Sequence, residues 1–335
     1  LGLQPTGNAA RGPGSNPSPA TWNIALTQGE ASREDLIKDM GTGLLVTSMI
    51  GSTINPNTGD YSRGASGLWV ENGEVTHAIN ECTIAGNLQD MLANLSAAFT
   101  GATAVRWDKP KGAGPVTEAD LAVNAMLQER LLQARPDYGW LSEESEDNTA
   151  RLGQSHVFII DPIDGTRSFI EGADTWSHSL AVARDGEIVA AVVYLPMLDR
   201  LYAASLGGGA KLNDVPIKAS VTTDLVHATV LATKPVMAGV HWAGGEPGFK
   251  SAHRPSLAYR LGLVGQGRYD GMVTLRKSWE WDIAAGALIV TEAGGICTDK
   301  TGAALRFNNS DPRLNGVLAG GPSVHAALLG SLAQT

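Results

Sequence analysis

The run Val157-Phe158-Ile159-Ile160-Asp161-Pro162-Ile163-Asp164-Gly165-Thr166 changes character halfway along. Its apolar first half is too short for a helix and predicts a buried strand. The strand ends on an acid, a rigid Pro turn follows, and a second acid comes three residues after the first. Gly165 and Thr166 then open the next element. Two carboxylates held ~4 Å apart repel by about 4 kcal/mol at an effective dielectric of about 20. Such a pair shares a proton or binds a cation, and an all-oxygen donor set favours Mg²⁺, with Mn²⁺ as the alternative, over zinc. The amides that follow offer a phosphate site at a helix start. An Asp-Pro turn with two exposed capping acids is the plain alternative for the dipeptide alone; the complete unit argues against it.

Four further acids come from three separate segments. Glu143 and Glu144 lie in WLSEES (140–145), just before the loop that leads to the strand. Alone they would pass for a solvated surface pair. Asp120 lies in PVTEAD (115–120), where Thr117 and Asp120 also fit an N-cap and N3 pairing. Asp282 sits between Trp281 and Ile283 at the start of an apolar helix, where an acid also suits the helix dipole.

The surrounding grammar predicts an α/β domain over roughly 96–335. Val123, Leu127 and Leu131 share one face of a helix that Pro136 ends. SLAVARDGEIVAAVVYLP (179–196) predicts two strands joined at Asp185-Gly186, and WDIAAGALIVTEAGG (281–295) a helix closed by Gly294 and Gly295. Gly207-Gly208-Gly209 predicts a hairpin turn rather than a phosphate cradle. Residues 1–95 are different: loop chemistry over 1–22, a short helix with Ser32 as N-cap, Asp35 at N3 and Gly41 as stop, then a hairpin about Asn72-Gly73.

Composition narrows the function. The chain has 335 residues, with 25 Lys+Arg against 34 Asp+Glu and a net charge of −9. That sign disfavours a nucleic-acid polymer or an anionic membrane surface as partner, and it disfavours anionic small molecules unless bound cations reverse it locally. Apolar residues at 43% exclude wholesale disorder. Cys82 and Cys297 are the two cysteines, which excludes a disulfide framework and a Cys-rich zinc site and points to a reducing, cytoplasmic setting. No apolar run approaches a membrane span, and the first residues, beginning at Leu1, lack the pattern of a signal peptide.

PVTEAD, WLSEES, DPIDGT (161–166) and WEWDIAAGALIVTEAGG (279–295) together resemble the inositol monophosphatase superfamily over about 100–330. They most resemble its branch of CysQ-type 3′(2′),5′-bisphosphate nucleotidases and general inositol-phosphate phosphatases. The resemblance implies a layered αβαβα sandwich of the sugar-phosphatase type, here with a small β-rich N-terminal appendage. It implies that Glu143, Asp161, Asp164, Asp282 and the Ile163 carbonyl ligate two or three Mg²⁺ ions. Gly165 and Thr166 would hold the phosphate, with Asp282 also facing the substrate. Asp120 would pair with the Thr166 hydroxyl to orient or deprotonate the attacking water, and Glu143 would share in that catalytic group. Glu144 would stand behind the ligands. A metal-activated water would then attack in line, releasing phosphate from a small phosphorylated metabolite. A homodimer is compatible with the resemblance.

GSNPSP (14–19), GEASREDLIKDMGTGLLVTSMIG (29–51), NPNTGDYSRGASGLWVENGE (55–74) and TIAGNLQDML (83–92) resemble the C-terminal end of the TldD/PmbA family. The metallopeptidase members use an HExxxH helix, which this sequence lacks, so the segment is expected to be non-catalytic. His77 is expected to be structural. NLQDMLANLSAAF (87–99) stands where the phosphatases have a long first helix, as a partial substitute. The loop carrying Lys109 and Lys111 follows it.

Substrate choice turns on residues outside the shared motifs. Arg167 directly follows DPIDGT, where inositol phosphatases often have Thr and nucleotidases often Lys; Arg260, in SLAYRLGLV (256–264), falls near a basic position of the nucleotidase branch. Either suits a second phosphate, and either also suits a surface charge. Three classes follow: a Mg²⁺-dependent phosphomonoesterase, a non-catalytic fusion or scaffold, and a peptidase-related subunit. Metal-dependent phosphate release separates the first from the others.

Overall fold

A computed structural model describes residues 9–10, 18–19, 32–54, 60–87, 105–109 and 114–333. Most of NLQDMLANLSAAF, together with Lys111, lies outside these residues. The chain divides into two compact units, Leu1–Gly51 with Arg63–Ile84, and Ser52–Ser62 with Ala85–Thr335.

In the first unit, α1 (Arg33–Met40) begins on the expected capping box: the Ser32 side chain accepts from the Asp35 amide while Asp35 accepts from the Ser32 amide. Gly41 caps its end. Strands β1 (Gly43–Ile54), β2 (Asp60–Glu71) and β3 (Glu74–Asn87) form a sheet in that order, with Asn72-Gly73 as the two-residue link between β2 and β3. His77 is exposed, with Nδ1 at 2.9 Å from the Thr76 hydroxyl.

The second unit opens with β4 (Arg106–Asp108) and β5 (Pro115–Thr117), an antiparallel pair that runs into α2 (Glu118–Ala134). Then come β6 (Gly139–Ser142), β7 (His156–Asp164), the short α3 (Thr166–Ile170), β8 (Ser177–Arg184), β9 (Glu187–Leu195), β10 (Arg200–Ser205), β11 (Gly209–Leu212) and β12 (Val215–Pro216). The strands make a seven-stranded sheet ordered β12-β11-β10-β9-β8-β7-β6. Only the β6–β7 pair in it is parallel. The β8–β9 link is the predicted Asp185-Gly186, with φ of 51° and 81°. These values suit a two-residue hairpin turn, and Gly carries its positive φ without strain.

The chain continues through β13 (Thr229–Leu231), β14 (Lys250–Ala252), α4 (Leu257–Gly265), β15 (Gly271–Thr274), α5 (Glu280–Glu292), β16 (Ile296–Thr298), β17 (Val317–Gly320) and α6 (Pro322–Ser331). Its strands form a five-stranded sheet ordered β14-β13-β15-β17-β16.

Burial shows how the layers stack. Along β7, Val157 and Ile159 face a core shared with α4, α5 and the second sheet, whereas Phe158 and Ile160 face Val123 and Leu127 of α2. The period-2 alternation is apolar on both faces because both faces are covered. Val324 and Leu328 of α6 close the far side of the five-stranded sheet on Val230 and Val273. The layers are therefore α2, the seven-stranded sheet, α4 with α5, the five-stranded sheet and α6, the expected αβαβα sandwich. No helix among the described residues is long and apolar enough to cross a membrane.

Candidate active site

The two acids of DPIDGT lie on one continuous strand, not on either side of a Pro turn as the sequence suggested. β7 runs through Pro162 to Asp164, and its register against β8 slips: Asp161 pairs with Ser179 but Asp164 with Ser177. Three steps on one strand match two on the other, which is a bulge. In a regular strand, residues three apart point to opposite faces; the extra residue brings both acids to one side. Pro162 is tolerated there because a bulged position need not donate to the ladder. Asp161 and Asp164 both line one cavity of about 450 Å³.

The parallel β6–β7 pairing delivers the next acid. Ser142 is opposite Ile160, and the Glu143 amide donates to the Ile160 carbonyl at 3.2 Å, so Glu143 emerges beside Asp161. Asp282 arrives from the first turn of α5. The Ser179 hydroxyl, opposite Asp161, donates to the Trp281 carbonyl at 3.0 Å and ties the start of α5 to the bulge. Buried Glu280 accepts from the Asn308 and Asn309 amides at 2.6 and 2.9 Å, anchoring the same helix start from the other side. The outcome is one carboxylate oxygen each from Glu143, Asp161 and Asp282 within 4.8 Å of one another.

Asp164 borders this trio with one oxygen already engaged. Its Oδ2 accepts from the Ser256 hydroxyl and the Ala258 amide, both at 2.7 Å, at the N-terminus of α4. Ser256 holds that position at a φ of 61°, an uncommon conformation for a residue with a side chain. Asp120 sits at N3 of α2 in the expected capping box: Oδ2 accepts from the Thr117 amide at 2.8 Å, while Oδ1 accepts from the Thr166 hydroxyl at 3.4 Å. That hydroxyl also lies 3.2 Å from the Ile163 carbonyl. Gly165, at a φ of 96°, turns the chain from β7 into α3, a left-handed conformation that favours glycine. Ile163, Phe169, Trp176 and Ala119 pack beneath this corner.

The electrostatics are those of an acid cluster short of positive charge. Burial, then the charges of Glu143, Asp164 and Asp282, push the Asp161 carboxyl well above its ordinary range. Burial, then Asp164 and Glu143, do the same to Asp282. Asp164 is raised to about 6 by burial, although the bonds from Ser256 and Ala258 pull it down. Asp120 is also raised to about 6, by burial against the hold of Thr117. Glu144 lies behind Glu143 and rises to about 7 through burial and the Glu143 charge. Lys109 is the cation that answers them, with Nζ 2.7 Å from Glu143 Oε1 and 2.5 Å from Glu144 Oε1. Burial opposes the Lys109 charge, but the two glutamates outweigh it and hold its pKa above the ordinary value.

An all-carboxylate donor set with mutual repulsion fits hard divalent cations, which would relieve that repulsion. The sequence-derived residues Glu143, Asp161, Asp164, Gly165, Thr166, Arg167 and Asp282 line the one cavity, joined by Arg260. Arg167 is exposed and also borders a neighbouring cavity of about 430 Å³. Gly207-Gly208-Gly209 is excluded from phosphate binding, because Glu292 accepts from the Gly207 and Gly209 amides, each at 2.8 Å. Sequence reasoning missed Ser256, Ser179, Glu280, Arg276 and Trp279. The last two also line the cavity; their nearness to Asp282 in LRKSWEWD (275–282) was the available signal.

Comparison with known proteins bears on the family and the fold. Residues 74–335 match the inositol monophosphatase family, and residues 1–124 match the PmbA/TldA metallopeptidase C-terminal domain. An inositol-1-monophosphatase of Rhizobium meliloti is 37% identical over 202 residues, covering 56% of this chain and 73% of the relative. The Nus factor SuhB of Escherichia coli is 33% identical over 228 residues, covering 65% and 82%. Among solved structures, the Thermotoga maritima IMPase superposes with a TM-score of 0.62 at 29% identity, covering 72% of this chain and 91% of that one. The extragenic suppressor protein suhB of Bartonella henselae gives the same score and identity, with 72% and 93% covered. Fold, acid cluster and family match coincide, and the chain belongs to the inositol monophosphatase family.

Proposed function

We propose that the chain is a Mg²⁺-dependent phosphomonoesterase acting on a small phosphorylated metabolite, either a 3′(2′),5′-bisphosphate nucleotide or an inositol monophosphate. The observation that carries this is the convergence of Glu143, Asp161 and Asp282 within 4.8 Å, with Asp164 on the same cavity. Those four carboxylates and the Ile163 carbonyl would hold two or three Mg²⁺ ions. When bound, such ions supply the positive charge that makes water acidic and steadies the leaving oxygen.

The chain's own groups do the rest. Asp120, with a pKa of about 6, is ionised at neutral pH yet basic enough to take a proton. Through the Thr166 hydroxyl it orients the attacking water and accepts its proton. The Gly165 and Thr166 amides hold the phosphate, and Asp282 also faces the substrate. Glu144, next to Lys109, sets the charge around Glu143. Arg167, just past the phosphate turn, would meet a second phosphate.

Phosphate release from inositol-1-phosphate, adenosine 3′,5′-bisphosphate and histidinol phosphate, with and without Mg²⁺, tests the proposal. Release that needs Mg²⁺ supports it, and no release from any of them overturns it. In this reading residues 1–95 are a non-catalytic passenger, the setting is cytoplasmic, and a homodimer is the form to look for.

A further inference from the structure

The bulge that brings Asp161 and Asp164 to one side is held from behind by a histidine outside the cavity. Between the pairs Asp161–Ser179 and Asp164–Ser177, Pro162 and Ile163 stand opposite the single residue His178. A two-against-one count disrupts the ladder locally, and all three residues are buried. A buried carbonyl needs a donor. The His178 ring supplies it, with Nδ1 in hydrogen-bond contact with the Pro162 carbonyl. Because a carbonyl oxygen only accepts, Nδ1 carries the proton. In the same bulge the Ile163 amide donates to Asp161 Oδ1 at 3.0 Å. The bulge is thus tied once to the Asp161 carboxylate and once to His178.

Aromatic neighbours fix the imidazole in turn. Trp176 meets it edge-on at 5.4 Å between centroids, and Tyr194 stacks on it at 6.3 Å. Trp176 also meets Phe169 of α3 at 5.1 Å and packs with Ile163 beneath the phosphate corner. His178 is fully buried and does not line the cavity, so its effect on the site runs through the bulge. That bulge carries the Asp161 and Asp164 carboxylates and the Ile163 carbonyl, and the charge of Asp164 bears on Asp161.

We propose that His178 is a positioning residue for the cation site. Its Nδ1–H bond to the Pro162 carbonyl fixes the bulge, and with it the direction in which Asp161, Ile163 and Asp164 present their oxygens. This rests on the phosphomonoesterase reading for the identity of the site and adds a residue which that reading does not use. An apolar residue of similar size would keep the packing but leave a buried carbonyl unpaired.

Binding of Mn²⁺ alone to metal-stripped protein, followed by the electron paramagnetic resonance of the free ion, reads the site without turnover. His178→Leu keeps apolar volume and removes the donor, whereas His178→Asn keeps an N–H close to the position of Nδ1. Loss of a group that orients ligands costs ~10- to 100-fold in metal affinity. His178→Leu should weaken Mn²⁺ binding by that order and raise the Mg²⁺ concentration for half-maximal phosphate release in step. His178→Asn should restore most of both. A lower melting temperature in His178→Leu with unchanged Mn²⁺ affinity would make His178 a packing residue and overturn the proposal. Equal weakening in both variants, or wild-type protein that binds no Mn²⁺, would overturn it too. If wild-type protein binds Mn²⁺ but releases no phosphate, the phosphomonoesterase reading has failed, and the Mn²⁺ titrations decide His178 alone. If either variant fails to fold, nuclear magnetic resonance of wild-type protein with isotope-labelled histidine decides. A slowly exchanging Nδ1-bound proton that shifts on addition of Mg²⁺ supports the proposal; its absence, or indifference to saturating Mg²⁺, overturns it.

Discussion

Asp161 is a buried carboxyl that feels the charges of Glu143, Asp164, Asp282 and Asp120. Asp161→Asn and Asp282→Asn each remove one proposed cation ligand and one repelling charge, so two opposite effects are expected. Mg²⁺-dependent phosphate release at limiting Mg²⁺ should fall by more than roughly 100-fold, since even groups that only orient ligands cost ~10- to 100-fold. The melting temperature in EDTA should rise, because repulsion is relieved. Near wild-type turnover in either variant would remove that residue from the site. Ser256 tests the support around Asp164. Ser256→Ala loses the cap of α4, costing about 1 kcal/mol of stability, and frees Asp164 to hold its proton more tightly. The Mg²⁺ concentration for half-maximal release should therefore rise, most clearly near pH 6. The motif acids were legible because acids following apolar strands are chemically conspicuous. Ser256 was not, because a serine opening an apolar helix looks like any other N-cap.

The elements β7 and α5 show where sequence patterning succeeded and where it stopped. The apolar run 157–160 specified a strand buried on both faces, and Asp185-Gly186 specified its hairpin neighbour. The bulge that aligns Asp161 with Asp164 was invisible, because it depends on which residue of β8 lies opposite. Between helices the controlling fact is close approach. A Cβ on Gly286 of α5 would lie 2.4 Å from Leu261 Cβ of α4. Alanine is intrinsically better in a helix by about 1 kcal/mol, but overpacking of this kind costs typically ~1–3 kcal/mol or more. Gly286→Ala should thus lower the midpoint of chemical denaturation, and a rise would mean α4 and α5 are looser than the structure shows.

The whole molecule responds to pH through the same buried acids. Asp120 and Asp164 rise from an ordinary 3.8 to about 6, and Glu144 from 4.5 to about 7. Each binds its proton more tightly folded than unfolded, so without metal the stability they contribute is lost as pH rises from about 4 through about 7. On the proposed function, Mg²⁺ held by ionised Asp164 and the ligands beside it should oppose the trend. Thermal melts in EDTA and in Mg²⁺, at about pH 5 and about pH 7.5, should show a larger Mg²⁺ effect at the higher pH. An equal effect at both would detach the cation from these carboxyls. At this scale the residues before about 84 are proposed to be dispensable. A chain beginning there should keep Mg²⁺-dependent release, and a folded but inactive product would make the first unit part of the enzyme.

On the proposed function, the convergent carboxylates hold cations that this chain uses to hydrolyse a phosphate ester. The most direct test is phosphate release from adenosine 3′,5′-bisphosphate and inositol-1-phosphate by the full-length protein, stripped of metal with EDTA and then titrated with Mg²⁺. The expected result is no release in EDTA, saturable recovery with Mg²⁺, and no recovery in Asp161→Asn at the same Mg²⁺. Release that persists in EDTA, or that Asp161→Asn retains, would contradict the account.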